Sequence, residues 1–142
     1  MKHFLSILIS LFITLTAFGQ KSDVIDSNLI DKRLKACLDS TENQTTLGMI
    51  GCTAEAEQLW DAEMNKYYKL LKGVLTPEEM EKLKAAQIKW IVFRDAEFSA
   101  SNKIYADMQG TMWRIVAVDT QMEIVKQRAL ELKSYYDNLS AK

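Results

Sequence analysis

Apolar residues fall into five blocks along the 142-residue chain. The first, Phe4 to Phe18, is almost uninterrupted. The other four recur at steps of three and four, the repeat of a helix that buries one face. The spacing predicts a first helix over about Leu29 to Asp39, with Leu29, Ile30, Leu34 and Cys37 or Leu38 on one side. Ser40 to Thr46 is uniformly polar and reads as a loop. Thr45 or Thr46 then caps a second helix running to about Val74, whose stripe includes Leu47, Ile50, Trp60, Met64, Tyr67, Leu71 and Val74. Thr76-Pro77-Glu78-Glu79 combines a cap, a first-turn proline and the glutamate of a capping box. A third helix should follow to about Tyr105, burying Met80, Leu83, Ala86, Trp90, Phe93, Ala100 and Ile104. Gln109-Gly110-Thr111 breaks the pattern. A fourth helix then carries the most regular stripe, Ile115, Val118, Met122, Val125, Ala129, Leu132, Tyr136 and Leu139. Met64, Met80, Met112 and Met122 sit on or near these faces and read as core filler. With no strand-like alternation, the expected architecture is all-α. It is a small disulfide-stapled bundle or antiparallel stack of about four helices, forming one domain over 29–142.

The first apolar block has a different meaning. Lys2 and His3 precede a run of about 15 residues, and Ala17-Phe18-Gly19 supplies small residues for cleavage after Gly19 or Gln20. The run is short of the roughly 20 residues that span a bilayer. Residues 1–19 are therefore expected to be a signal peptide, residues 20–28 a flexible polar lead-in, and the mature protein periplasmic or secreted without a stable membrane anchor. No cysteine stands at the cleavage position to take a lipid.

Compartment changes how the cysteines are read. Cys37 and Cys52 are the only two, and an even pair bound for an oxidising space reads as a disulfide joining the first two helices. The alternatives are free thiols or half a metal site, and no further Cys or mature His exists to complete a site. The sole histidine, His3, lies in the leader. Histidine-based triads, metal centres and pH switches are thereby excluded from the mature chain, and no cofactor or metal is expected. Removing Lys2 from the 18 basic residues leaves 17 against 19 acidic ones. A net charge near −2 argues against nucleic acid and permits a basic protein partner.

Two helical stretches concentrate polar residues beside aromatics. Gln87, Trp90, Arg94 and Glu97 share a sector of the third helix, beside Phe93 and Asp95. They read either as a recognition patch or, preferably, as core aromatics whose polar neighbours fasten helices, with Arg94 paired to Glu97 or to another helix. In Trp60 to Tyr68, Asn65 is a poor helix-interior residue and is expected to hydrogen-bond Gln87 or Arg94. Glu55, Glu57, Asp61 and Glu63 show no spacing that singles out a catalytic pair, and no catalytic residue is assigned.

The order of these features resembles the LprI-like lysozyme-inhibitor family of small secreted bacterial helical domains. The residues that carry the resemblance are the cysteine pair around a polar loop and D-x-E-M-N-x-x-Y (Asp61, Glu63, Met64, Asn65, Tyr68). Leu75 to Glu79 and Q-x-x-W-x-x-F-R-D-A-E (Gln87, Trp90, Phe93, Arg94, Asp95, Glu97) complete it. The resemblance runs from about Cys37 to Leu132 and implies a non-enzymatic protein that binds lysozyme. Family members commonly carry a second cysteine pair. Here Phe98 holds the first of those positions and Val116 to Val118 contain no cysteine, which leaves the third and fourth helices joined by packing alone.

Two loops could enter a cleft: Asp39 to Leu47, with Ser40, Thr41, Glu42, Asn43 and Gln44 at its centre, and Tyr105 to Trp113. The first is preferred because a stapled loop loses less entropy on binding. The alternative is an envelope interaction module without lysozyme affinity, presenting the acidic face of the second helix. Tyr67, Tyr68, Trp113 and Tyr135 on a flat helical face would favour the module, and aromatics near a loop tip would favour inhibition.

Overall fold

The computed structural model describes residues 27–141, so the expected leader (1–19) and most of the lead-in (20–28) lie outside the described residues. Four helices form: α1 (Ser27–Asp39), α2 (Thr46–Leu71), α3 (Pro77–Ala106) and α4 (Met112–Ser140), with a short 3-10 turn at Thr41–Asn43. No strand occurs among the described residues. The helix starts follow the local chemistry. Thr45 Oγ1 accepts the Gly48 N–H at 3.0 Å. At Thr76 a full capping box closes, with Glu79 accepting the Thr76 N–H at 2.8 Å. The α3–α4 turn passes through Gly110 at φ +102°, a left-handed conformation that side-chain-bearing residues rarely adopt.

The principal interface joins α2 to α4, and these two helices run in the same direction. Thr46 and Thr111 meet near their starts, Oγ1 to Oγ1 at 3.1 Å. Tyr67 and Tyr136 meet near their ends with ring centroids 5.9 Å apart. The core lies between them: Ala56, Trp60, Met64, Tyr67 and Leu71 of α2 against Met122, Val125, Ala129 and Leu132 of α4. Leu83 of α3 and the fully buried Ile30 of α1 close it on either side. Burying Trp60, Leu71 and Leu132 each contributes roughly 1.5–3 kcal/mol. α1 is antiparallel to α2, held by Ile30, by the Asp31–Lys126 ion pair at 2.9 Å and by the Cys37–Cys52 disulfide, whose Cα atoms are 5.7 Å apart. The loop it closes spans 15 residues, worth about 3 kcal/mol by chain entropy.

The expected face of α4 is the packed one, and α3 is rotated from its expected orientation. Met80, Leu83 and Trp90 pack inward, whereas Ala86, Phe93, Ala100 and Ile104 are exposed. Gln87, Arg94, Phe98, Ser101 and Tyr105 take the inward positions in their place. Gln87 and Ser101 point to the interior because α4 supplies partners for them, Arg128 and Gln121, and Arg94 lies over Trp90 and Phe98 of its own helix; a hydrophobicity count cannot see those partners. α2 ends at Leu71, short of the expected Val74, which lies exposed in the following turn; Leu47 in the first turn of α2 and Met112 at the start of α4 are exposed as well.

Candidate functional site

The polar side chains of the first loop are largely spent on α1. Asn43 Nδ2 donates to the Cys37 carbonyl at 3.0 Å and to Cys37 Sγ at 3.4 Å. Gln44 Nε2 donates to the Leu38 carbonyl at 2.7 Å, satisfying carbonyls that the end of a helix leaves unpaired. Ser40 is half-buried and accepts the Asn43 N–H at 3.0 Å. Of the five residues expected to meet a partner, Thr41 and Glu42 are exposed and not used in this capping. Gly48 explains the tight seat of the 3-10 turn on α2: a Cβ there would stand 2.7 Å from Asn43 Cα.

The two loops treated separately in sequence converge at one end of the stack. The Thr46–Thr111 contact ties the start of α2 to the α3–α4 turn, and Tyr105 stacks on Trp113 at 5.8 Å with planes 9° apart. Around this seam stand Leu47 at 80% exposure, Ile104 at 62%, Met112 at 60% and Met108 at 42%. These large apolar side chains stand exposed at one end of the stack, where the disulfide and the Asn43 and Gln44 bonds hold the first loop and the Thr46–Thr111 contact ties the α3–α4 turn to it. Leu47 and Met112 carry a clear signal in hindsight, since each occupies the first turn of a helix, outside the packed length.

The motif residues lie mid-stack and fasten helices. Asn65 turns away from α3 and donates to Asp61 one turn earlier, at 2.9 Å to Oδ2, in place of the expected bond to Gln87 or Arg94. An exposed side chain there finds a local acceptor at no cost in burial. Glu63 is buried and paired with Lys66 at 2.7 Å, so the acids of α2 do not form one solvated face. Tyr68 is half-buried with Lys72 above its ring. Arg94 forks onto Asp95 at 2.7 and 2.9 Å, and lies over Trp90 at 5.4 Å and Phe98 at 5.9 Å. Its expected partner Glu97 is exposed. Burial pushes the Glu57 carboxyl of α2 above the ordinary carboxylate value; the Arg94 charge opposes this and Asp61 reinforces it.

Gln87 joins a network that the sequence did not reveal. Its Oε1 accepts from Arg128 Nε at 2.9 Å, and its Nε2 points to Met64 Sδ at 3.5 Å. Arg128 Nη1 donates to Glu131 at 2.6 Å, and Tyr135 donates its hydroxyl to the same carboxylate at 2.7 Å. Burial raises the Glu131 pKa, but the Tyr135 and Arg128 hydrogen bonds and the Arg128 charge outweigh it and leave it below the ordinary value. Gln121 adds a second α3–α4 tie, to Asn102 at 2.9 Å and Ser101 at 3.3 Å. The join expected to rest on packing alone therefore has two hydrogen-bonded crossings. Phe98 contributes as well, packing against the core.

Among the described residues no group of three or more His, Cys, Asp or Glu is arranged to hold a metal ion. No described helix is long and apolar enough to cross a membrane. The scaffold is similar to a solved structure, that of a putative uncharacterized protein from Burkholderia thailandensis. The two chains are 28% identical with a TM-score of 0.74 over 79% of this chain and 55% of that one. This chain thus spans little more than half the length of that relative. Among curated protein sequences none matches it. The sequence profile of the family described as lysozyme inhibitor LprI matches residues 37–132, which takes in both cysteines, the capped start of α3 and the whole Gln87 to Glu97 block. The chain therefore belongs to the lysozyme inhibitor LprI family.

Proposed function

We propose that this protein is a lysozyme inhibitor of the periplasm or extracellular space that works by occlusion, without chemistry of its own. The observation that carries the reading is the convergence of two loops into one rigid tip bearing Leu47, Met108 and Met112. Such a tip enters a cleft at reduced entropic cost, because the disulfide and the Asn43 and Gln44 bonds order the first loop, and the Thr46–Thr111 contact and the Tyr105–Trp113 stack hold the second beside it. Apolar anchors supply the affinity, and the exposed Thr41 and Glu42 form part of a polar rim. Family membership supports lysozyme as the enzyme blocked.

The test is lysis of cell-wall substrate by lysozymes of several structural types, with mature oxidised protein added in increasing ratio. Stoichiometric inhibition of at least one type is expected. Leu47→Asp with Met112→Asp should weaken it at least tenfold with helicity unchanged. Inhibition that survives both changes removes the tip from the reading, and no inhibition of any type removes the function.

One observation favours the second reading, an envelope interaction module. Ile88, Ile91 and Val92 form an exposed apolar strip on α3, away from the tip. The aromatics divide between the two readings: Trp113 stands at the tip, Tyr135 is exposed along α4, and Tyr67 is buried.

A further inference from the structure

At the end of the stack opposite the loops, the α2–α3 turn and the last turns of α4 enclose a groove of about 480 Å³. Its walls are apolar: Leu71, Leu75, Leu83, Ala86 and Leu139. That volume is within the ~300–1,000 Å³ range typical of small-molecule sites. Arg128, only 7% exposed, stands between this groove and a more polar one beside Trp90 and Phe93, and lines both. Two of its nitrogens are committed, Nε to Gln87 and Nη1 to Glu131. The third, Nη2, is buried and has no hydrogen-bond partner among the described residues. A buried guanidinium N–H without an acceptor is costly, and one beside an apolar groove marks where an acceptor would be favoured.

The remaining polar groups around the groove sharpen the choice of guest. Glu79 is held by the Thr76 cap and Glu131 by Arg128 and Tyr135. Glu131 lies outside the groove lining, whose charged residues are Glu79, the exposed Lys82 and Arg128, a balance of one positive charge. We infer that this groove binds a single-chain amphiphile with a carboxylate head, its hydrocarbon laid on the leucines and its head between Lys82 and Arg128. Nη2 is shut off from solvent, so binding by the head requires the side chains over it to move. The site lies at the end away from the tip and does not depend on the inhibitor reading.

Calorimetric titration of the mature oxidised protein with octanoate, decanoate and dodecanoate tests this, each kept below its micelle concentration. Saturable one-to-one binding is expected, tightening about fourfold per added methylene until the groove is full. Decyltrimethylammonium, with the opposite head charge, should bind at least tenfold more weakly than decanoate. Ala86→Trp places bulk in the groove from an exposed helical position; it should abolish decanoate binding while the thermal melt stays unchanged. Lys82→Glu should weaken decanoate and leave the ammonium amphiphile unaffected or tighter. Absence of saturable heat, equal binding of both head groups, or full binding by the Ala86→Trp variant would each overturn the inference. So would a concentration-dependent dimer that Ala86→Trp dissociates, since a second copy would then be the occupant.

Discussion

Replacing Cys37 and Cys52 together by serine removes the cross-link and leaves the other attachments of α1 in place. Ile30 stays buried and Asp31 stays paired with Lys126 at 2.9 Å. The loss should therefore act chiefly on the unfolded chain, which gains the freedom of a 15-residue loop, about 3 kcal/mol. Unfolding entropy of roughly 2.1 cal/mol/K per residue over about 115 ordered residues is near 0.24 kcal/mol/K, so the melting temperature should fall by about 12 °C. The urea m-value should rise, because a chain without the cross-link unfolds to a more extended ensemble. Far-UV circular dichroism at 20 °C should change little, and lysozyme inhibition should weaken more than helicity does, since the turn at Thr41–Asn43 is seated beside the lost bond. A fall of less than about 4 °C with an unchanged m-value would refute the entropic account. Parallel loss of helicity and inhibition would refute the claim that the disulfide serves the loop.

Gly48→Ala puts a methyl 2.7 Å from Asn43 Cα, against backbone that cannot swing aside. It should cost about 1–3 kcal/mol in urea melts and weaken inhibition by displacing the 3-10 turn; a neutral result would mean that the turn is not seated as described. Gln87→Leu takes the Nε acceptor from a buried guanidinium and should cost about 1–3 kcal/mol, which a stability measurement alongside Gln58→Leu, an exposed control, would check. Glu131 has a folded-state pKa below its unfolded value, so its contribution is present above the unfolded value and is lost as pH falls through the folded one. Glu131→Gln should therefore be less stable than the parent near pH 7 and should lose less stability on acidification below about pH 4.5; identical pH profiles would contradict the network.

The capping box at Thr76, the break at Gly110 and the stripe of α4 were legible because each depends on neighbours within a turn or two of chain. The cysteine pairing was legible from the count of two and from the expectation of an oxidising compartment. Gly48 was not legible as a contact, since the atoms it must avoid belong to a turn whose course only the folded chain defines. The polar loop Ser40 to Gln44 was legible as a loop, but Asn43 and Gln44 could not be assigned inward roles before the end of α1 was placed beside them.

By itself the sequence determined that the chain is helical, where three of its four helices begin or break, and which motif residues it shares with a family. Those properties are set by backbone propensity, capping and side-chain period, all short-range. Tertiary structure decided the rest. It made α2 and α4 parallel neighbours and turned α3 so that Gln87 and Arg94 face inward and Phe93 outward. It also brought Leu47 and Met112, 65 residues apart, to a single tip. Helix rotation depends on which neighbour offers a partner to each buried polar group. Arg128, 41 residues from Gln87, is such a partner, and no local pattern records it.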